Sequence, residues 1–200
     1  MTDRARTKED AIRDFILQKS EELFVRNGFE KTSMDMIARS ADLSKPTLYN
    51  YFKGKNDLFM GVHVRLHEDI NALILRLLEQ DKPPLDILAE VFDATVRIYG
   101  EHREFLRVFN VEFHHFTHAN LAEHADWTIS SRKTMSAVLT RFLEGLLRPE
   151  VKKRFDAATV AGIILSMFET LFYDLAMSES DNIATYKEIV FYIIRSSLLK

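Results

Sequence analysis

The side chains that could do chemistry are concentrated in one short stretch, residues 31–55. This stretch holds five basic and two acidic residues, for a net charge of +3, together with several hydroxyl, phenol and amide groups. Such groups hydrogen-bond to phosphate oxygens and to the edges of bases, while the positive charge attracts a polyanion. If these basic and polar groups lie together on one exposed surface, that surface would bind nucleic acid.

The histidines form a second group of potentially reactive side chains. Two pairs have i, i+4 spacing, and a further histidine and a glutamate adjoin the second pair. The residues concerned are His63, His67, Glu112, His114, His115 and His118. Because residues four apart share a helix face, each pair could bind a metal. The alternative, which we favour, places these histidines on polar or pocket faces, where one could hydrogen-bond to a ligand.

Other catalytic chemistry has little support in the sequence. There is no cysteine, which excludes a disulfide framework, a thiolate nucleophile and a cysteine-based zinc site. No phosphate-binding glycine loop, Ser-His-Asp order or paired-carboxylate signature is visible. We therefore predict no catalytic residue, no cofactor and no metal, in a protein that is not an enzyme. A metal-dependent enzyme built on the histidines is the alternative.

The elements that must position these groups are helices. Only six glycines and four prolines occur in 200 residues, and apolar residues recur with helical periodicity throughout the chain. The predicted fold class is all-α, with about nine helices. They are predicted at 8–27, from residue 32 or 33, and at 44–51, 55–82, 85–99, 102–117, 121–147, 156–178 and 183–199.

Residues 32–55 are predicted to form two short helices joined by a tight turn. Ile37 and Leu48 are apolar where these helices must meet, Ala38 is small where they cross, and Leu43 can cover the core from the turn. This pattern is typical of a helix-turn-helix, whose second helix enters the DNA major groove. Asp42 stands in the turn, where aspartate tolerates a left-handed backbone better than most residues.

The same stretch resembles the TetR/AcrR family of bacterial transcriptional regulators over about residues 8–60. The matching residues, in the family's order and spacing, are Gly28-Phe29, Thr32-Ser33, Ile37-Ala38, Ala41, Leu43-Ser44-Lys45, Thr47-Leu48-Tyr49, Tyr51-Phe52, Lys55 and Leu58. The resemblance implies an N-terminal helix-turn-helix domain of three helices, here 1–54, and a helical domain for effector binding and dimerisation, here 55–200. The implied function is a repressor that binds a pseudo-palindromic operator as a homodimer. A small hydrophobic or aromatic effector would release it.

The resemblance also implies DNA contacts for nine residues. Thr32 and Ser33 would contact phosphate at the start of the second helix, and Lys55 would hold the DNA backbone from the start of the fourth. For the two tyrosines, the alternative role is packing between helices. For the whole chain, the alternative function is a helical interaction module that does not bind DNA. The nine residues are Thr32, Ser33, Ser44, Lys45, Thr47, Tyr49, Asn50, Tyr51 and Lys55.

In the C-terminal part, the resemblance implies an effector pocket and a dimer surface. Aromatic and methionine side chains would suit a hydrophobic or aromatic ligand, with ordinary core packing as the alternative. Helices near 156–178 and 183–199 are apolar enough to form a four-helix interface between subunits, or to be buried within one. The candidate pocket residues are Phe105, Phe109, Phe113, His114, Trp127, Met135, Phe142, Met167, Phe168 and Phe172.

The net charge of the whole chain is −3, which by itself does not favour nucleic-acid binding. Its distribution does, because residues 1–60 carry a net charge of +1 and residues 61–200 carry −4. Neither a signal peptide nor an uninterrupted apolar stretch of about 18 residues is visible, so a cytoplasmic protein without a membrane segment is predicted. The expected partners are double-stranded DNA, a small effector and a second copy of the chain.

Overall fold

A computed structural model of the chain describes residues 7–113, 118–177 and 182–198. Within these ranges the chain forms ten α-helices and no β-strand, and a π-helical segment, Ile194–Leu198, continues the last helix. The helices are α1 Lys8–Lys31, α2 Met34–Ser40, α3 Lys45–Tyr51, α4 Lys55–Leu78, α5 Pro84–Glu101, α6 Arg103–Phe113, α7 His118–Glu144, α8 Pro149–Lys152, α9 Ala157–Met177 and α10 Ile183–Ile193. The predicted all-α fold class is confirmed.

The observed helices differ from the predicted ones mainly at their ends. α8 has no predicted counterpart, because it is a single turn that begins at a proline. α4 ends at Leu78 rather than near residue 82. α1 continues to Lys31, but Gly28 interrupts it with a φ of 76°, which L-residues rarely adopt. The predicted end of α1 at Gly28 is therefore a kink.

Side-chain caps explain where the first three helices begin. The Thr7 hydroxyl accepts the Asp10 amide at 3.1 Å, and the Asp10 carboxylate accepts the Thr7 amide at 3.0 Å. This reciprocal capping box satisfies two backbone groups that would otherwise lack partners at the start of α1. Ser33 and Ser44 cap α2 and α3, each accepting the amide three residues further on.

The chain divides into two compact units. The first contains the described residues of Met1–Glu68 and Glu104–Leu121, and the second those of Asp69–Arg103 and Ala122–Lys200. The first unit therefore includes α1–α3, the first half of α4 and nearly all of α6. This division reflects compactness, so the functional boundary between residues 54 and 55 stays a prediction.

Aromatic rings fill the core of the first unit. The Phe59 ring of α4 lies at its centre, with centroid distances of 4.9 Å to Phe24, 4.7 Å to Phe29, 5.5 Å to Phe105 and 5.2 Å to Phe109. All five side chains are buried. Their packing joins α1, α4 and α6 into one core, against which α2 and α3 also pack.

A second aromatic cluster lies within the second unit, where α5 packs on α9. The Phe92 ring is 5.8 Å from both Phe168 and Phe172, and Tyr99 stacks on Phe172 at 5.2 Å. Burial raises the pKa of the Tyr99 phenol to about 12, because removal from water disfavours the phenolate.

One of the described helices, α9, is long and apolar enough to cross a membrane. Its 18-residue window Ala157–Asp174 has a mean hydropathy of 1.3, and a third of that window is buried. A single such helix is weak evidence for a membrane span, because core helices of soluble proteins meet the same criteria of length and composition.

Candidate nucleic-acid interface

The turn between α2 and α3 has the geometry that a helix-turn-helix requires. Asp42 has a φ of 55°, as expected for a turn residue that replaces glycine. The Leu43 amide donates to the Ala38 carbonyl at 2.9 Å, and the Asp42 amide donates to the Arg39 carbonyl at 3.2 Å. These two hydrogen bonds form a Schellman motif, which ends α2 and redirects the chain into α3.

The inner faces of α2 and α3 pack as predicted. Ile37 and Leu48 are fully buried, Ala38 is 3% exposed, and Leu43 packs on the same core from the turn. Phe52, at the end of α3, is 1% exposed. These contacts fix the orientation of α3 and leave its other face to solvent.

The outer face of α3 carries predicted DNA-contact residues. Lys45, Tyr49 and Asn50 are exposed, with 46% of Tyr49 accessible to solvent. At the start of the helix, the Ser44 and Thr47 hydroxyls are 2.7 Å apart, and the Ser44 hydroxyl also accepts the Thr47 amide at 3.2 Å. These two hydrogen bonds orient the side chains in the first turn of α3.

Lys45 forms an ion pair that the sequence did not reveal. Its Nζ lies 3.0 Å from Oδ1 of Asp35, in the first turn of α2, and both side chains are half exposed. The hydrogen bond that Lys45 donates to the Asp35 carboxylate, and the negative charge of that carboxylate, raise the pKa of Lys45. Lys45 is therefore fully charged at neutral pH and lies beside an acid.

The two tyrosines of α3 differ in their surroundings. Tyr49 is exposed, with 46% of it accessible, whereas Tyr51 is half-buried against the core. Arg13 of α1 donates to the Tyr51 carbonyl at 3.1 Å and lies 4.3 Å from the centre of the Phe52 ring. Arg13 thereby holds the end of α3 against α1, a contact between residues 38 apart that sequence patterns did not indicate.

Thr32 has a structural role instead of the predicted phosphate contact. Its side chain is 2% exposed, and its hydroxyl lies 2.8 Å from the Gly28 carbonyl and 3.2 Å from the Leu23 carbonyl. The single proton of the hydroxyl is therefore directed at these two backbone carbonyls of α1. Because a hydroxyl bound in this way cannot donate to phosphate, only the exposed Ser33 remains a candidate at this position.

Lys55 also contacts the protein itself. Its ammonium donates to the Phe29 carbonyl at 2.9 Å and to the Glu30 carbonyl at 3.3 Å, and it lies 4.2 Å from the centre of the Phe29 ring. Two of its three N–H groups thus fasten the start of α4 to the end of α1. A contact with DNA would use the third.

Two further contacts join α1 to α4. Arg65 donates to the Asp14 carbonyl at 3.1 Å and to the Glu21 carboxylate at 2.7 Å. Gly61 lies where a Cβ atom would be 3.0 Å from Leu17 and 3.4 Å from Phe52. The ion pair left no signal in the sequence, whereas a glycine between apolar positions of a long helix could have indicated close packing.

The candidate effector residues do not come together within one unit. Phe105, Phe109 and Phe113 belong to the aromatic core of the first unit. His114 lies outside the described residues. The second unit contains Trp127, Met135, Phe142, Met167, Phe168 and Phe172, of which Phe142, Met167, Phe168 and Phe172 share one core cluster.

An open groove of about 700 Å³ lies within the second unit, between α7, α9 and α10. Of the predicted pocket residues, it is lined by Met167. Arg132 also lines it and forms an ion pair with Glu169. Its other lining residues are Thr159, Gly162, Ile163, Ser166, Thr170, Leu171, Asp174, Tyr186 and Val190.

The first histidine pair is packed among rings. His63 stacks on Phe109 with a centroid distance of 4.0 Å, and His67 lies 4.5 Å from His63. His114 and His115 lie outside the described residues, and the side chain of His118 is not described. Within the described part of the chain, no group of three histidines or acids is placed to hold a metal.

The sequence and this geometry match those of known regulators. The family described as "Bacterial regulatory proteins, tetR family" matches residues 16–62, which include α2, the turn and α3. The transcriptional repressor BepR of Brucella suis is 27% identical over 170 residues, which cover 81% of this chain and 80% of BepR. The helix-turn-helix domain of this chain belongs to the TetR family.

Two further comparisons support this TetR-family assignment. The transcriptional activator FasR of Mycolicibacterium smegmatis is 39% identical over 57 residues, 28% of this chain and 26% of FasR. A TetR-family transcriptional regulator from Pectobacterium atrosepticum shares the fold with a TM-score of 0.71, at 17% identity, over 98% of this chain and 99% of that one. The TetR-family chain is therefore a DNA-binding transcriptional regulator with a helix-turn-helix, which favours regulation over catalysis.

Proposed function

We propose that this TetR-family chain binds a pseudo-palindromic operator as a homodimer and that a small effector releases it. The observation that carries the proposal is the two-sided character of α3. Leu48 and Phe52 fix its inner face in the core, while Lys45, Tyr49 and Asn50 extend into solvent. A helix held in this way can enter the major groove without losing core contacts.

The proposed DNA contacts follow from exposure. The first turn of α3 and the start of α2 supply hydroxyl and cationic groups, and the middle of α3 supplies a phenol and an amide. Tyr51 and Lys55 contribute less, because the Tyr51 side chain is half-buried against the core and the Lys55 ammonium already binds two carbonyls of α1. The proposed contact residues are Ser33, Ser44, Lys45, Thr47, Tyr49 and Asn50.

We propose that the dimer forms through α9 and α10. Large apolar side chains on these helices are exposed in the single chain, with 57% of Ile163 and 51% of Ile189 accessible. A second copy that covers them would bury this apolar surface. Ile189→Glu should therefore give monomers in light scattering, whereas Ile129→Glu, on α7 and 52% exposed, should leave the dimer intact. If Ile189→Glu and Ile129→Glu are both dimeric, this interface is refuted.

The proposed effector is a hydrophobic or aromatic small molecule bound within the second unit. The support is the set of aromatic and methionine side chains in this unit, of which Met167 lines the groove. They are Trp127, Met135 and Phe142 on α7 and Met167, Phe168 and Phe172 on α9. We leave Phe105 and Phe109 out, because they are core residues of the first unit. An effector releases the operator only if it binds the DNA-incompetent conformation more tightly than the competent one.

Repression is our choice for the direction of regulation, because BepR, which the chain matches over most of its length, is a repressor. FasR is an activator, and its match is confined to a quarter of its length. A reporter gene under the operator decides between the two, since deletion of a repressor raises expression and deletion of an activator lowers it. The site of action would be the cytoplasm, where bacterial DNA lies.

The test of DNA binding is selection of duplexes from a random-sequence library by the full-length protein. We expect enrichment of an inverted repeat whose half-sites are separated by about one helical turn or a multiple of it, as a symmetric dimer requires. A footprint upstream of the chain's own gene would then identify a natural operator. No enriched sequence would refute the proposed function and favour an interaction module.

A further inference from the structure

Asp35 is an acidic residue at the proposed DNA interface, and the proposed function gives it no role. It lies two residues after Ser33, in the first turn of α2. Its carboxylate is 3.0 Å from the ammonium of Lys45, the first residue of α3. Half of each side chain is exposed, so both groups lie on the surface that DNA would approach.

Fold stability does not account for this pair. The start of a helix is its positive end, where a cation such as Lys45 is disfavoured and an acid is preferred. Asp35 offsets that unfavourable position, but surface ion pairs between exposed side chains contribute little to folding. A lysine at the positive end of α3, held by an acid on another helix, therefore suggests a requirement outside the fold.

We propose that Asp35 determines DNA specificity by acting through Lys45. The carboxylate holds the Lys45 ammonium beside α2 and offsets the positive charge that would otherwise attract phosphate. Lys45 therefore adds affinity only at a DNA sequence that offers its ammonium a more favourable contact than Asp35 does. This inference rests on the proposed function. In this role Asp35 is a positioning residue, and Lys45 makes the contact.

The consequence for non-specific binding follows from charge. Affinity for random DNA depends on how many phosphates the protein neutralises, and each one changes the slope of log K against log salt by about 0.9. A paired Lys45 contributes almost nothing to this count. Freeing it would add about one phosphate contact per subunit, which is about eightfold in affinity per subunit near 0.1 M salt.

Asp35→Asn tests the proposal, because it removes the charge while keeping the shape. We measure affinity for the selected operator and for a random duplex of equal length between about 0.05 and 0.2 M salt. For the dimer, the expected result near 0.1 M salt is a gain of roughly sixtyfold on random DNA, about eightfold for each subunit, and a salt slope steeper by nearly two. The operator should gain less, so the ratio of specific to random affinity falls.

Asp42→Asn is the matched control. Asp42 is an exposed acid in the turn of the same motif, and its φ of 55° is one that asparagine also adopts readily. The substitution makes the same change in net charge without touching Lys45. A gain on random DNA as large as that of Asp35→Asn would show a general effect of charge and would overturn the proposal.

The variant Lys45→Met separates action through Lys45 from direct repulsion of phosphate by Asp35. With methionine at 45, adding Asp35→Asn should leave the ratio of operator to random affinity unchanged within about twofold. If Asp35→Asn raises the affinity for random DNA as much in the Lys45→Met background as in the wild-type background, the positioning role is refuted.

The failure of this inference differs from failure of the proposed function. If the wild-type protein prefers no sequence, both are wrong. If it prefers an operator while Asp35→Asn and Asp42→Asn behave alike, the regulator stands and only the role of Asp35 is lost.

Discussion

Replacing Lys55 with methionine separates its contacts within the fold from a contact with DNA. Methionine keeps most of the apolar stem and removes the ammonium that donates to the Phe29 and Glu30 carbonyls. The Phe29 carbonyl keeps a second donor, the Thr32 amide at 3.2 Å, and the exposed Glu30 can hydrogen-bond to water. The loss is therefore less than that of two buried hydrogen bonds.

The magnitude can be worked from these contacts. One charge-assisted hydrogen bond contributes about 1.5 kcal/mol, and a partly exposed cation over an aromatic ring adds about 0.5–1 kcal/mol. The free energy of unfolding should thus fall by about 2 kcal/mol. For a chain of this size, that lowers Tm by roughly 4–8 °C.

Thermal unfolding by circular dichroism and operator titration over salt give the two readouts. Lys53→Met is the control, because Lys53 is exposed in the same segment, two residues before Lys55. We expect Lys55→Met to lower Tm and Lys53→Met to leave it within about 1 °C. An unchanged Tm for Lys55→Met, with a salt slope reduced by about one per subunit, would refute the structural role.

Two other predictions test the packing of each unit. In denaturant unfolding, Gly61→Ala should be less stable than Gly100→Ala by about 1–3 kcal/mol. The reason is that a Cβ atom at position 61 would lie 3.0 Å from Leu17, whereas one at position 100 would meet nothing within 4 Å. Equal effects of the two substitutions would contradict the close contact of α1 and α4. Burial favours the neutral phenol of Tyr99 in the folded state and so raises its pKa to about 12. The resulting contribution to the free energy of unfolding is present below pH 10 and is lost as the pH rises toward 12. Tyr99→Phe should flatten this alkaline loss, and an absorbance titration in which all tyrosines ionise together near pH 10 would contradict the burial of Tyr99.

The sequence predicts the helix-turn-helix well because its determinants are local. The caps at Ser33 and Ser44, the left-handed turn at Asp42 and the buried Leu48 are each specified by residues within a few positions. Periodicity predicts the other long helices for the same reason. Periodicity does not predict α8, because its single turn of four residues is too short for a periodic pattern.

Side-chain roles that depend on distant partners could not be predicted in this way. Thr32 matches the family pattern, yet the kink at Gly28 turns its hydroxyl inward. Lys55 contacts carbonyls that lie 25 and 26 residues earlier in the chain. The row of phenylalanines on α6 indicates an apolar face but not which unit it packs in, and Phe105 and Phe109 pack in the core of the first unit.

Operator binding by Tyr49→Ala tests the central claim, that the exposed face of α3 reads DNA, most directly. Tyr49 is 46% exposed, so its loss should leave the fold and the dimer unchanged. A lost base or phosphate contact of about 1 kcal/mol or more in each of two subunits predicts an affinity at least about thirtyfold weaker at fixed salt. A dimeric variant that binds the selected operator as tightly as the wild-type protein would contradict the claim.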